Sequence, residues 1–73
     1  MVRREQFINK IRELGYKFKL QRKRVYIWRR VGGTHFIPVP KADLLEDPYV
    51  TSALKQAGLT DEQIKVFIAS TKS

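Results

Sequence analysis

The chain has 73 residues, no cysteine, and 15 Lys or Arg against seven Asp or Glu, so its formal net charge is +8. A chain of this length forms one small domain that buries only about 60% of the surface exposed when it is unfolded. Without cysteine it has neither a disulfide framework nor a thiolate zinc site to add stability, which leaves close packing or oligomerisation.

The sequence contains no segment typical of a membrane protein or an exported one. No apolar run approaches the roughly 20 residues of a membrane-spanning helix, and no hydrophobic signal core follows the N-terminal MVRREQ. We therefore expect a single domain over residues 1–73, located in the cytoplasm and without a membrane partner.

Charge is distributed unevenly along the chain. Residues 1–41 hold twelve Lys or Arg and two acids, a net +10, whereas residues 42–73 hold three and five, a net −2. Such a field attracts anions and speeds their encounter. It predicts an acidic partner, either a nucleic acid or a protein.

The first predicted element is an amphipathic helix of about three turns from Glu5 to Leu14. Gly15 follows where a left-handed glycine ends a helix. The apolar residues at helical spacing are Phe7, Ile8, Ile11 and Leu14.

From Tyr16 the apolar period changes to two, which predicts strands. A tight connection near Arg22 and Lys23 separates the first two strands, and the Gly32-Gly33 pair favours a hairpin to a third, so we expect an antiparallel meander. The third strand, His35 to Val39, contains Pro38 and should lie at an edge.

Two short helices are predicted after the strands. Asp47 is expected to cap the first and Pro48 to occupy its first turn. Thr60 and Gln63 form a capping-box pattern at the start of the second. The remaining apolar residues at helical spacing are Val50, Ala53, Leu54 and Ala57, then Ile64, Phe67 and Ile68. The fold class is therefore α+β: a helix, a three-stranded meander and two helices, with the helices on one sheet face.

The basic, aromatic stretch from Lys17 to Arg30 is the candidate site. If Phe18, Leu20, Val25 and Ile27 point inward, the cations and two aromatic rings share the outer face. The candidate nucleic-acid-binding residues are Lys17, Lys19, Arg22, Lys23, Arg24, Tyr26, Trp28 and Arg30. Cations hold phosphates and rings stack on bases, which favours RNA or another single strand. The alternative is that Tyr26 and Trp28 are covered by a helix or by a second subunit, and that the lysines only solubilise the surface.

Other chemistry has little support in the sequence. There is no phosphate-binding glycine loop or dinucleotide motif, and one histidine without cysteine cannot build a zinc site. Asp43, Glu46 and Asp47 are better explained as complementing a helix N-terminus than as metal ligands. We expect no cofactor and no metal.

Three segments resemble the HicA family of small bacterial toxins, which are ribonucleases of toxin–antitoxin pairs with a fold like the double-stranded-RNA-binding domain. They are LGY at Leu14 to Tyr16, IPVP at Ile37 to Pro40, and SALKQAGLTDEQI at Ser52 to Ile64. The resemblance implies an RNA substrate and an acidic antitoxin-like partner.

The catalytic residue of the family is not matched. HicA toxins are similar in carrying a Gly-Ser-His triplet after their first strand, and alignment places Lys23, Arg24 and Val25 on it. Valine cannot transfer a proton, so nuclease activity should be lost. His35, the only histidine, is the one remaining catalytic candidate, and no second histidine or identified carboxylate is placed to orient it.

The helical segments argue against two known binding modes. Double-stranded-RNA-binding domains clamp phosphates with lysines at the start of their second helix, where this chain has Glu46 and Asp47. A helix-turn-helix around residues 56–63 would bring Asp61 and Glu62 close to DNA phosphates.

We therefore predict a HicA-like RNA-binding domain without nuclease activity. The alternatives are an interaction module for an acidic antitoxin-like protein or a second copy of the chain, and an mRNA-cleaving toxin that uses His35.

Overall fold

The computed structural model describes residues 1–71. In chain order the elements are β1 (Val2–Arg3), α1 (Arg4–Glu13), β2 (Tyr16–Gln21), β3 (Val25–Arg30), β4 (Phe36–Pro40), β5 (Leu44–Leu45), α2 (Asp47–Gln56) and α3 (Asp61–Thr71). An antiparallel sheet has the strand order β2-β3-β4, and β1 pairs with β5 in a separate two-stranded sheet. The predicted α+β class and three-stranded meander are confirmed.

Helix α1 forms because its apolar residues lie on one stripe, of which Phe7 and Ile11 are fully buried. The backbone N–H of Gly15 donates to the carbonyl of Arg12 at 3.0 Å, and Gly15 has φ +94°. Only glycine adopts this conformation without a steric penalty, so the helix ends where the sequence predicted.

The pairing of β1 with β5 was not predicted. Val2 lies opposite Leu45 and Arg3 opposite Leu44, and the Arg4 N–H donates to the Asp43 carbonyl at 2.9 Å. Val2 and Leu45 are both buried. The segment expected to be only a connector therefore includes a strand, which anchors the N-terminus to the start of α2.

The two later helices start differently. Glu46, not Asp47, is the N-cap of α2 and makes no side-chain cap bond, so the capping prediction for Asp47 was wrong. The Asp47 carboxylate instead lies 3.1 Å from the ammonium of Met1. At α3 the capping box is confirmed, since the Thr60 N–H donates to Gln63 Oε1 at 2.9 Å and the Gln63 N–H donates to Thr60 Oγ1 at 3.2 Å.

The helices cover one face of the β2-β3-β4 sheet, which we call the covered face. Phe18, Trp28 and Ile37 lie directly opposite one another across the three strands and therefore share that face. Trp28 and Ile37 are buried with helical residues in one hydrophobic cluster. The full buried set is Val2, Phe7, Ile11, Tyr16, Trp28, Ile37, Val39, Leu45, Val50, Ala53, Leu54, Ala57 and Ile64.

The predicted alternation of β3 was inverted. Trp28 is only 5% exposed and Tyr26 is half-buried on the covered face, whereas Val25 and Ile27 lie on the opposite face. A large ring buries more apolar area than a branched aliphatic side chain, and strand alternation then carries Tyr26 inward with Trp28.

A β-bulge in β2 explains a second difference between the predicted and the observed side-chain orientations. The register shifts between Phe18 and Leu20, so Leu20 pairs with Ile27 on the uncovered face and not with the core. Phe18 remains on the covered side but at the sheet edge, where the helices do not reach it, and it is 52% exposed. Both residues had been expected in the core.

None of the helices within residues 1–71 is long and apolar enough to cross a membrane.

Burial of Trp28 generates a stability prediction. Trp28→Ala should lower the free energy of unfolding by about 3–5 kcal/mol because it leaves a cavity under α1. Phe18→Ala, which removes an exposed ring on the same face, should cost about 1 kcal/mol or less. Urea denaturation followed by circular dichroism measures both. Trp28 is the single tryptophan of the sequence, and its fluorescence emission in the native wild type should be blue-shifted. Red-shifted emission, together with a loss of unfolding free energy below about 1 kcal/mol in Trp28→Ala, would contradict the burial of Trp28.

Candidate nucleic-acid interface

The uncovered face of the sheet carries a row of two cations and a phenyl ring. Lys17, Arg29 and Phe36 lie directly opposite one another on β2, β3 and β4. All three side chains are exposed. The open face, as we call it, consists of Lys17, Lys19, Leu20, Val25, Ile27, Arg29, Phe36 and Pro38.

Phe36 lies on the edge strand β4, with two cations of the open face close to its ring. Its side chain is 43% exposed, with Lys19 Nζ 4.9 Å and Arg29 Cζ 5.9 Å from the ring centroid. Cations at this distance are attracted to the negative face of the ring. Arg29 Nε also donates a hydrogen bond to the Gly33 carbonyl at 3.1 Å. The site therefore combines an exposed ring with two positively charged groups.

A second row beside Phe36 is apolar. Leu20 and Ile27 lie opposite each other, and Ile27 lies opposite Pro38 on the edge strand. Leu20 and Ile27 are half-buried and Pro38 is exposed. This row adds a low, apolar surface next to the ring.

Three more cations lie in the hairpin between β2 and β3. Arg22, Lys23 and Arg24 are all exposed, and the hairpin is closed by the Arg22 N–H, which donates to the Val25 carbonyl at 2.8 Å. Within residues 1–71, neither these side chains nor Lys17, Lys19 and Arg29 form an ion pair within 4.0 Å. Six positive groups are therefore available to an anionic ligand.

The structure keeps the predicted cations together but separates them from the predicted rings. Lys17, Lys19 and the three hairpin cations lie on or beside the open face.

Tyr26 lies on the covered face close to Arg4 and Lys41, whose cationic groups are 5.7 and 5.3 Å from its ring. Trp28 lies under the Arg12 guanidinium, 5.2 Å from its ring. Arg30 is exposed but points to the covered side, 6.0 Å from the ring of Tyr16.

Sequence reasoning missed Arg29 and Phe36. A signal for Phe36 was present, because Ile37 and Val39 alternate with Phe36 and Pro38, and burial of the aliphatic pair turns Phe36 outward. Arg29 could be placed only once Trp28 was known to be buried. The exposed ring on this face therefore comes from the third strand of the meander, not from the second.

His35 has a hydrogen-bond partner that the sequence did not reveal. Its Nδ1 lies 2.5 Å from the Tyr16 hydroxyl oxygen, and the two rings meet edge-on with centroids 5.8 Å apart. Burial raises the pKa of Tyr16, while the nearby Arg30 guanidinium lowers it by less. Tyr16 therefore stays protonated at neutral pH, and its side chain holds His35 on the covered side of the sheet.

The acidic residues near α2 do not assemble into a metal site. Asp43 Oδ1 lies 3.8 Å from an Arg4 guanidinium nitrogen, and Asp47 pairs with the N-terminal ammonium. In the part of the chain that the structure describes, no group of three His, Asp or Glu side chains is arranged to hold a metal ion.

Comparisons with models of protein families, with curated proteins and with solved structures found no match to this chain. The resemblance to HicA toxins therefore stays a prediction.

Proposed function

We propose that this protein binds single-stranded RNA through the open face and the β2–β3 hairpin, without cleaving it. The observation that carries the proposal is the exposed ring of Phe36, flanked by Lys19 and Arg29 and aligned with Lys17 across three strands. Base stacking on an aromatic side chain contributes about 1–3 kcal/mol per base. Phosphate contacts add affinity without sequence specificity.

The geometry supports one mode of contact. Neighbouring strands lie about 4.8 Å apart, so the row from Lys17 to Phe36 spans about 10 Å. A base seated on Phe36 leaves the adjoining backbone phosphates within reach of the flexible side chains of Lys19 and Arg29, which would leave the ring to meet them. The hairpin cations extend the same positive surface along the strand direction.

Two features favour a single strand over a duplex. Phe36 can stack only on a base that is not already stacked within a helix. At the start of α2, Glu46 is exposed and occupies the region where a duplex-clamping domain would need cations. An acid at that position repels the phosphates of an RNA duplex.

The absence of cleavage in this proposal follows from where the titratable groups lie. The open face presents lysine, arginine and apolar side chains, and it carries no histidine or carboxylate that could act as a general acid or base. Val25, which aligns with the histidine of HicA toxins, is half-buried on that face, opposite Pro40. His35 is held by Tyr16 on the other side of the sheet.

We also propose that the chain is a HicA-like domain that acts in the cytoplasm. The confirmed order of one helix, a three-stranded meander and two helices supports this interpretation, as does the capped turn between α2 and α3. An acidic protein encoded beside this one would add to the support.

The RNA-binding proposal predicts distinct effects for matched variants. Phe36→Leu should weaken binding of a labelled single-stranded RNA by about 1–3 kcal/mol because it removes the stacking surface. Phe18→Leu, the same change at an exposed ring on the covered side, should leave affinity unchanged. Fluorescence anisotropy measures both, with circular dichroism as the control for folding.

The salt dependence tests the electrostatic half of the same proposal. With six cations engaged, the log–log slope of affinity against salt should be about −4, and Arg29→Gln should make it shallower by about 0.7. Lys65→Gln, an equal loss of charge on α3, should leave the slope unchanged. A slope near zero, or equal effects of the two phenylalanine variants, would contradict the proposal.

A second candidate function is RNA cleavage by His35, which the Tyr16 hydrogen bond favours because it orients the ring. We expect neither the wild type nor His35→Ala to cleave RNA above background, since His35 lies away from the open face. An RNA degradation assay on purified protein, with growth on overexpression as a second readout, measures this. Cleavage by the wild type that is lost in His35→Ala would establish the enzyme hypothesis instead.

A further inference from the structure

Strand β2 is an unpaired sheet edge. The strand order is β2-β3-β4, and within residues 1–71 no segment pairs with the outer side of β2. The other edge, β4, is blocked, because Pro38 and Pro40 have no N–H and the Pro38 carbonyl accepts a hydrogen bond from the Tyr49 hydroxyl. One edge of the sheet can therefore accept a further strand.

The backbone hydrogen bonds show which groups of β2 point outward. The Val31 N–H donates to the Gly15 carbonyl at 2.8 Å, so Tyr16 and Arg30 form a non-hydrogen-bonded pair of the antiparallel ladder. The pairing alternates, and Phe18 with Trp28 is the next pair of this type. The N–H and C=O groups of Tyr16 and Phe18 therefore face the free edge.

The side chains beside this edge differ on its two sides. On the covered side, the exposed ring of Phe18 meets Trp28 edge-on at 5.9 Å, and Arg12 lies over Trp28. On the open side, Lys17 and Lys19 are exposed. An added strand would place apolar side chains against Phe18 on one side and charged side chains against the lysines on the other.

Charge determines which strand fits. Pairing β2 with β2 of a second copy would bring Lys17 and Lys19 of one copy against those of the other, and like charges directly opposite each other destabilise a sheet. An acidic segment makes the opposite, favourable interaction with Lys17 and Lys19.

We propose that the free edge of β2 binds an extended segment of a partner protein in which acidic residues alternate with apolar ones. The segment adds a fourth strand by backbone hydrogen bonds to Tyr16 and Phe18. Its apolar side chains pack on Phe18, and its acids reach Lys17 and Lys19. This surface goes beyond the proposed RNA function and does not depend on it. Since Lys17 and Lys19 also belong to the open face, the bound segment would compete with RNA.

The probe for this proposal is a seven-residue peptide of alternating Glu and Val, acetylated and amidated. Its control has the same composition with all Glu first, which keeps the charge but loses the alternation. The alternating peptide should bind saturably by calorimetry, and the block peptide should bind at least about tenfold more weakly. On binding, the amide hydrogens of Tyr16 and Phe18 should become protected from exchange.

Two variants separate the backbone contact from the ring contact. Phe18→Ala removes only the ring, whereas Phe18→Pro also removes the outward N–H without breaking a bond to β3. Phe18→Ala should lower the affinity for the alternating peptide by about tenfold, and Phe18→Pro should abolish peptide binding. Both variants should retain the RNA affinity of the wild type.

Three results would overturn the proposal: equal binding of the two peptides, no protection of the two amides, or equal peptide affinity of the folded Ala and Pro variants. The exchange measurement uses the wild type and decides the matter even where the Pro variant fails to fold. Self-association of the wild type that Phe18→Pro removes would assign the edge to a second copy instead.

Discussion

Burial of Trp28 beneath α1 is the interaction on which the arrangement of this protein depends. The ring packs with Ile37 in the core and carries the Arg12 guanidinium over its outer side. Because strand side chains alternate, the inward position of Trp28 turns Arg29 outward, and the register with β4 then brings Phe36 beside it. A core contact thus determines the composition of the opposite surface.

The surface that results is suited to an anion with flat groups. Six cations lie on or beside a low apolar area, and the acids of the chain lie elsewhere, in α1, in α2, in α3 and near β5. Leaving these cations without ion pairs costs little, since exposed pairs contribute at most about 1 kcal/mol each. Their mutual repulsion would fall when they bind a polyanion, which releases counterions in addition.

The elements governed by local signals could be predicted from the sequence. The periodicity of α1, the glycine at its end and the Thr60 capping box depend on residues within one or two turns of each other. The residues of the candidate site depend on which face of β3 packs against the helices. Local patterns do not determine this, because either face of β3 carries enough apolar side chains to be core. The bulge after Phe18 depends on how β2 pairs with β3, which local patterns do not determine. The pairing of Val2 with Leu45 joins distant residues in two-residue strands that are too short to show a period.

RNA binding at the open face is tested most directly by following the Phe36 and Trp28 rings by NMR during titration with a single-stranded RNA. The Phe36 ring lies on the open face, whereas the Trp28 indole N–H is buried and has no hydrogen-bond partner within residues 1–71. Binding at the open face should produce large shifts of the Phe36 ring resonances and of the side-chain resonances of Lys19 and Arg29, with the Trp28 indole resonance almost unchanged. A shifted indole resonance with an unperturbed Phe36 ring would contradict it.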